Sequence, residues 1–226
     1  MKYIFLLLFF VPTLCLAGNI PGKPLAQKGT LIFSDDFERE DLGEWKTIIP
    51  AFAVKDGVLK GWQAKDDHGA VGRIYRPMKD VIVEFKFKLE GSKQFNVVFD
   101  DKNYKGSHAG HILRVAFAPT QIRLGDDKEG IMRNDIFKMR RDPQQKAAAN
   151  KLLEGRGSIA KVKVEPGEWH DVVIEIVGDR MRVSYDGIAV GYLQSPGLAH
   201  ETKQSVHFTV TGSGVLYDDV KIWNVK

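Results

Sequence analysis

Cysteine is almost missing from this chain of 226 residues. Cys15 is the only one, and it stands inside an apolar N-terminal run. A disulfide-stapled fold is therefore excluded, and the hydrophobic core must hold the structure. Apolar runs of membrane length are also missing beyond that N-terminal stretch. Net charge is only +4, and one less without Lys2, and no nucleic-acid-binding motif occurs. No internal repeat and no Pro/Gly-rich domain linker divides the chain. No His-Glu-x-x-His zinc signature is present.

What is there begins with a leader. Lys2 gives a short positive region, residues 4–16 are nearly all apolar, and Ala17-Gly18 offers small residues. This pattern reads as a secretory signal peptide over 1–17, whose removal takes Cys15 with it. The expected destination is secreted or periplasmic, with no membrane span after cleavage. Residues 18–29 read as a flexible leader, and residues 30–226 as one domain.

Period-two alternation fills that domain. Val81, Val83, Phe85, Phe87 and Leu89 alternate with polar or exposed partners, and so do Phe95, Val97 and Phe99. Leu113, Val115 and Phe117 repeat the pattern, followed by Val172–Ile176, Met181–Tyr185 and Val206–Val210. Each such run predicts a strand with one buried face. Asp56-Gly57 and Asp186-Gly187 supply two-residue hairpin turns. The fold class expected is all-β, an antiparallel sandwich or jelly roll. One helix over about 143–154 interrupts it, capped by Asp142 with Pro143 in its first turn. That helix lies within residues 128–157, where Lys128, Arg133, Lys138, Arg140, Arg141, Lys146, Lys151 and Arg156 outnumber four acids. Such a segment suits an anionic glycan, or is simply a solvated insertion.

Two ends of the chain echo each other: Asp35-Asp36-Phe37 followed by Trp45, and Tyr217-Asp218-Asp219-Val220-Lys221-Ile222-Trp223. With the Val54–Leu59 hairpin, the Asp80–Leu89 strand, Glu168-Trp169-His170 and the Asp186-Gly187 turn, the chain resembles concanavalin A-like lectin/glucanase sandwiches. Within them it is similar to secreted bacterial proteins of the 3-keto-disaccharide hydrolase type. The resemblance implies paired first and last strands, bringing Asp35 or Asp36 near Asp218 or Asp219. It also implies a carbohydrate partner. The paired carboxylates of retaining glucanases, Glu-x-Asp-x-x-Glu on one strand, are missing. So is the Glu-x-Gln element associated with many relatives; His111-Ile112-Leu113-Arg114 stands in that region.

Candidate chemistry centres on histidine. His68 follows Asp66-Asp67, and His108 and His111 flank Ala109-Gly110. If these loops meet, Asp67, His68, His108 and His111 form a shell for a divalent metal ion, or a histidine base with a carboxylate beside it. Otherwise they are loop residues with structural hydrogen bonds. Arg114, His207, Thr209 and Asn96 occupy the polar phase of their strands, which suits a sugar-binding face. Trp62 is the expected exposed aromatic platform, whereas Trp45, Trp169 and Trp223 are expected in the core. Arg133 and Asn134 stand where a loop can cover a pocket. Asp36 and Asp218 are candidates for a structural calcium.

A 3-keto sugar needs no carboxylate pair. Its ketone acidifies the C2 hydrogen, so one base and one positive group on the developing enolate suffice. His68, His108, His111 and Arg114 are the residues expected to carry such a reaction. Two other readings stay open: a non-catalytic glycan-binding module, and a structural protein of the cell envelope.

Overall fold

The computed structural model describes residues 20–226, so the expected signal peptide lies outside the described residues. The described chain forms two packed antiparallel sheets. Eight strands make the first: β1 (Lys28–Asp35), β3 (Phe52–Lys55), β4 (Val58–Gly61), β6 (Val81–Leu89), β11 (Trp169–Val177), β12 (Arg180–Tyr185), β13 (Ile188–Gln194) and β15 (Val215–Val225). The second holds β2 (Lys46–Ile49), β5 (Ala70–Met78), β7 (Gln94–Asp100), β8 (His111–Ala118), β9 (Gln121–Asp126), β10 (Gly157–Ala160) and β14 (Lys203–Thr211). Its order is β10-β9-β8-β7-β14-β5-β2.

Alternation places the strands as expected. Phe85 and Phe87 of the first sheet meet Phe95, Phe117 and Phe208 of the second in one aromatic core. Tyr217 stacks on Phe208 at 4.0 Å, and Trp45 stacks on its other side at 5.3 Å. Burying each such ring contributes roughly 1.5–3 kcal/mol, which lets a sheet pair without disulfides hold together. Asp56 and Gly57 both have positive φ, as do Asp186 and Gly187, the geometry of tight hairpins. First and last strands lie side by side, with Asp35 opposite Val220.

Three expectations are corrected. Residues 20–27 are not a loose leader here. Leu25 N–H donates to Glu175 Oε1, and Arg182 Nε donates to Pro21 O, which lays the segment on the outer face of the first sheet. Trp169 is 40% exposed, with Lys88 over its ring, because its position on β11 faces outward. The insertion holds two helices, α1 (Asn134–Met139) and α2 (Lys146–Leu152). Asp142 still caps, but it binds the Gln144 N–H of a preceding turn, and α2 starts later than expected. Among the described residues no helix is long and apolar enough to cross a membrane.

Candidate active site on the outer face of the seven-stranded sheet

The outer face of the second sheet collects the polar residues of five strands. His207 on β14 is opposite Arg73 on β5 and Val98 on β7, and Val98 is opposite Arg114 on β8. One row away, Thr209 is opposite Asn96. Thus Arg114, His207, Thr209 and Asn96 share one face.

A bulge shapes the site. Asp100 pairs with His111 and Phe99 with Leu113, so Ile112 has no partner on β7. In a regular strand, residues three apart face opposite ways. The extra residue turns His111 and Arg114 to the same side. Ile112 O fixes the bulge by accepting the N–H groups of both Asp127 and Lys128. Just before it, Ala109 and Gly110 have positive φ. A Cβ at Gly110 would stand 2.2 Å from Asp101 O, so only glycine fits. This turn brings the His108 and His111 rings to 6.2 Å.

Asp100 is the hub. Its Oδ1 lies 2.6 Å from His111 Nδ1, and its Oδ2 lies 3.0 Å from His207 Nδ1 and 2.7 Å from Arg73 Nη2. Burial alone would raise its pKa. The hydrogen bonds from His111 and His207 overcome that and hold it well below the usual carboxylate range. His207 is shifted down by burial, with the Asp100 bond opposing. His108 is likewise lowered, first by burial and then by the charges of His111 and Arg141. Its ring stacks on Phe137 of α1 at 4.2 Å, and Arg141 caps the far face of Phe137. The insertion is thereby locked against the histidine turn, helped by His108 N–H donating to Met132 O.

Arg114 is held by its Nε, which lies 2.9 and 2.7 Å from the two carboxylate oxygens of buried Asp127. Its Nη2 is buried without a hydrogen-bond partner among the described residues. Beside it opens a cavity of about 430 Å³, lined by Gln94, Asn96, Arg123, Gly125, Arg140 and Arg156 among others.

Several sequence candidates stand elsewhere. His68 and Asp67 are exposed at the far end of the sheet, next to Val210, while Asp100 and His111 lie at the Ser205 end of β14. His68 Nδ1 meets only Gly69 O, at 2.7 Å. The expected shell of Asp67, His68, His108 and His111 is therefore not assembled. Among the described residues, the one group of three close metal-type donors is Asp100, His111 and His207, whose ligand atoms lie within 4.8 Å of one another. Arg73 Nη2 already stands among them, 3.3 Å from His207 Nδ1. His207 is 2% exposed, so it braces Asp100 rather than meeting a sugar. Trp62 is half-buried and backbone-paired with Ala51, away from the cavity lining. Arg133 forks onto Asp135, and Asn134 Nδ2 donates to Lys105 O, so both fasten the insertion. Asp36 is engaged by Glu38 N–H and Asp218 by Asp219 N–H, and among the described residues the pair belongs to no group of three close metal-type donors. Glu175 lies on the other sheet, ion-paired to Arg182 at 2.5 Å.

The family profile of the 3-keto-alpha-glucoside-1,2-lyase-like domain matches residues 33–223. The chain belongs to this family. It is a carbohydrate-active domain, and its sandwich recurs in solved structures. The carbohydrate-binding module CBM66 from Bacillus subtilis is 11% identical, with a TM-score of 0.55 over 82% of this chain and 98% of that one. The apo Crh5 transglycosylase is 12% identical, TM-score 0.60, over 88% and 90%. SCLam, a non-specific endo-beta-1,3(4)-glucanase of family GH16, is 12% identical, TM-score 0.55, over 90% and 96%. At these identities the likeness is one of fold. No curated protein matches the chain.

Proposed function

We propose that this domain cleaves 3-keto-glycosides by proton abstraction and elimination, with His111 as the base. The observation that carries the reading is the pairing of His111 with Asp100 on the same face of the sheet as the Arg114 guanidinium. With Nδ1–H given to Asp100, Nε2 is the nitrogen that can serve as the base. Nε2 takes the proton from C2 of the keto sugar. The C–H electron pair moves into a C2–C3 double bond, and the C3 oxygen becomes an enolate oxygen, met by Arg114. The enolate then returns its electrons: C3=O reforms, C1=C2 forms, and the bond from C1 to the leaving oxygen breaks. That oxygen takes the proton from His111, releasing the free alcohol and a 2-hydroxy-3-keto-glycal. Neutral His108 lines the turn without adding charge that would repel the imidazolium.

The polar row of Asn96, Gln94 and Arg123 supports a second reading, in which the same face binds glycan without chemistry. Incubation with p-nitrophenyl 3-keto-glucoside decides between them. Nitrophenol release that disappears in His111→Ala supports the lyase. Binding of the glycoside with no release by the wild type leaves the binding module.

A further inference from the structure

The cavity beside Arg114 is unusual in its charge. Arg114 and Arg123 enter it from the sheet, Arg140 and Arg156 from the insertion. Among the described residues, Arg114 alone of these four meets a carboxylate. Arg123 Nη2 donates to the neutral Gln94 Oε1 at 2.5 Å, and Arg156 Nη1 to Ser195 Oγ at 3.3 Å. Among the described residues the Arg140 guanidinium, at the end of α1, has no hydrogen-bond or ion-pair partner. The single carboxylate on the wall is Asp126, and it is buried and engaged elsewhere. Its Oδ2 accepts from Ser195 Oγ and Gly197 N–H, and its Oδ1 from Glu129 N–H. Three guanidinium groups thus surround one cavity with no counter-charge facing them. Like charges repel at this range, most strongly where water is partly excluded, so the arrangement is relieved by an anion.

The floor has room for one. Gly125 is opposite Arg114 on one side and Gly157 on the other, so no side chain rises there. A Cβ on Gly125 would meet only ordinary contact, 3.6 Å from Arg114 Cγ, so the space above this backbone is open. Arg123 lies two residues from Gly125, diagonal to Arg114, which sets their Cβ atoms about 7–8 Å apart. That is on the scale of one sugar unit. With the reacting ring at His111 and Arg114, the neighbouring unit lies over the two glycines.

We infer that this neighbouring unit is an acidic sugar, its carboxylate or sulfate held by Arg123, Arg140 and Arg156. The assignment of the unit as the neighbour rests on the reacting ring being at His111; the anion site itself is tested by binding alone.

The test is calorimetry on the whole chain with three ligands: a glucuronate-containing disaccharide, its carboxyl-reduced twin, and the twin sulfated at the same carbon. At least one acidic form should bind about tenfold or more tightly than the neutral twin, the scale of one charge-assisted hydrogen bond. Arg140→Gln with Arg156→Gln should erase most of that preference and leave neutral binding unchanged. Equal affinity for all three ligands in the wild type overturns the inference. So does inorganic sulfate binding as tightly as the sulfated sugar, which would mark an unspecific anion site. If no 3-keto-glycoside is cleaved while the acidic preference persists, the lyase reading falls and the acidic-sugar site stands.

Discussion

His111 and Arg114 face the same side of one strand although they are three residues apart. The cause is the bulge at Ile112. An imidazole and a guanidinium thereby stand on one side of one rigid element. Replacing His111 with Ala should lower the rate of aglycone release by about 10²–10⁴, the usual loss for a general base. The affinity for an uncleaved glycoside should change little. Single-turnover kinetics with a separate binding measurement checks both halves.

Arg114 and Asp127 form a buried pair. Removing either partner strands a charge, so Arg114→Met or Asp127→Leu should each destabilise the fold by about 3–5 kcal/mol. The double variant should regain most of that stability, because an apolar pair replaces an ionic one. It should not regain activity. Urea melts of the three variants, with activity assays on the double variant, give the answer.

Asp100 makes the fold sensitive to acid. Its folded-state pKa is depressed, so its contribution is complete above the unfolded value near 4 and is lost as pH falls below it. Wild-type stability should therefore fall more steeply below about pH 4 than that of Asp100→Asn. Parallel slopes for the two proteins in acid denaturant melts would contradict this.

Lys203 acts at the other end of the pH scale. Its amine is fully buried, donating to Lys79 O and His200 O. Burial pushes its pKa down to about 8. Below that value both folded and unfolded states carry the proton, and the folded state bears the whole cost of the buried charge. Between about pH 8 and 10.5 only the unfolded state stays protonated, so stability rises with pH by an amount on the order of 3 kcal/mol. Lys203→Met should lack this rise in melts taken across that range.

Arg73 occupies the donor group of Asp100, His111 and His207 with its own positive charge. Zinc or manganese should leave the wild-type melting temperature unchanged. Arg73→Gln vacates the charge, and the same ions should then raise its melting temperature. A metal-dependent rise in the wild type would show that Arg73 yields its place.

The fold was readable because period-two alternation is a local property, visible in Val81–Leu89 and Val206–Val210 without knowing their neighbours. The shared face of Asn96, Arg114, His207 and Thr209 followed from the same phase. Asp100 was within reach of that reading, since it alternates with core Phe99. Its role was not, because it depends on which strands are adjacent: His111, His207 and Arg73 come from three separate strands. His68 misled for the same reason. It resembles His108 and His111 in local sequence, yet register puts it at the opposite end of the sheet. Helix α1 was missed because it carries no side-chain cap at Arg133. Its stability comes instead from Ile136 buried beneath it and Phe137 against His108.

The carbonyl of Ile112 joins two features that differ in kind. It pins the bulge, and it receives the chain as it leaves the sheet for the insertion. The excursion returns at Gly157, again in register with β9. Between these two anchors the insertion grips the histidine turn through Met132 and Phe137. Helix α2 lies beyond that grip, so its length and charge can change while His111, Arg114 and Asp100 keep their places on the sheet, and one candidate site can be refitted to new glycans by rewriting part of a single loop.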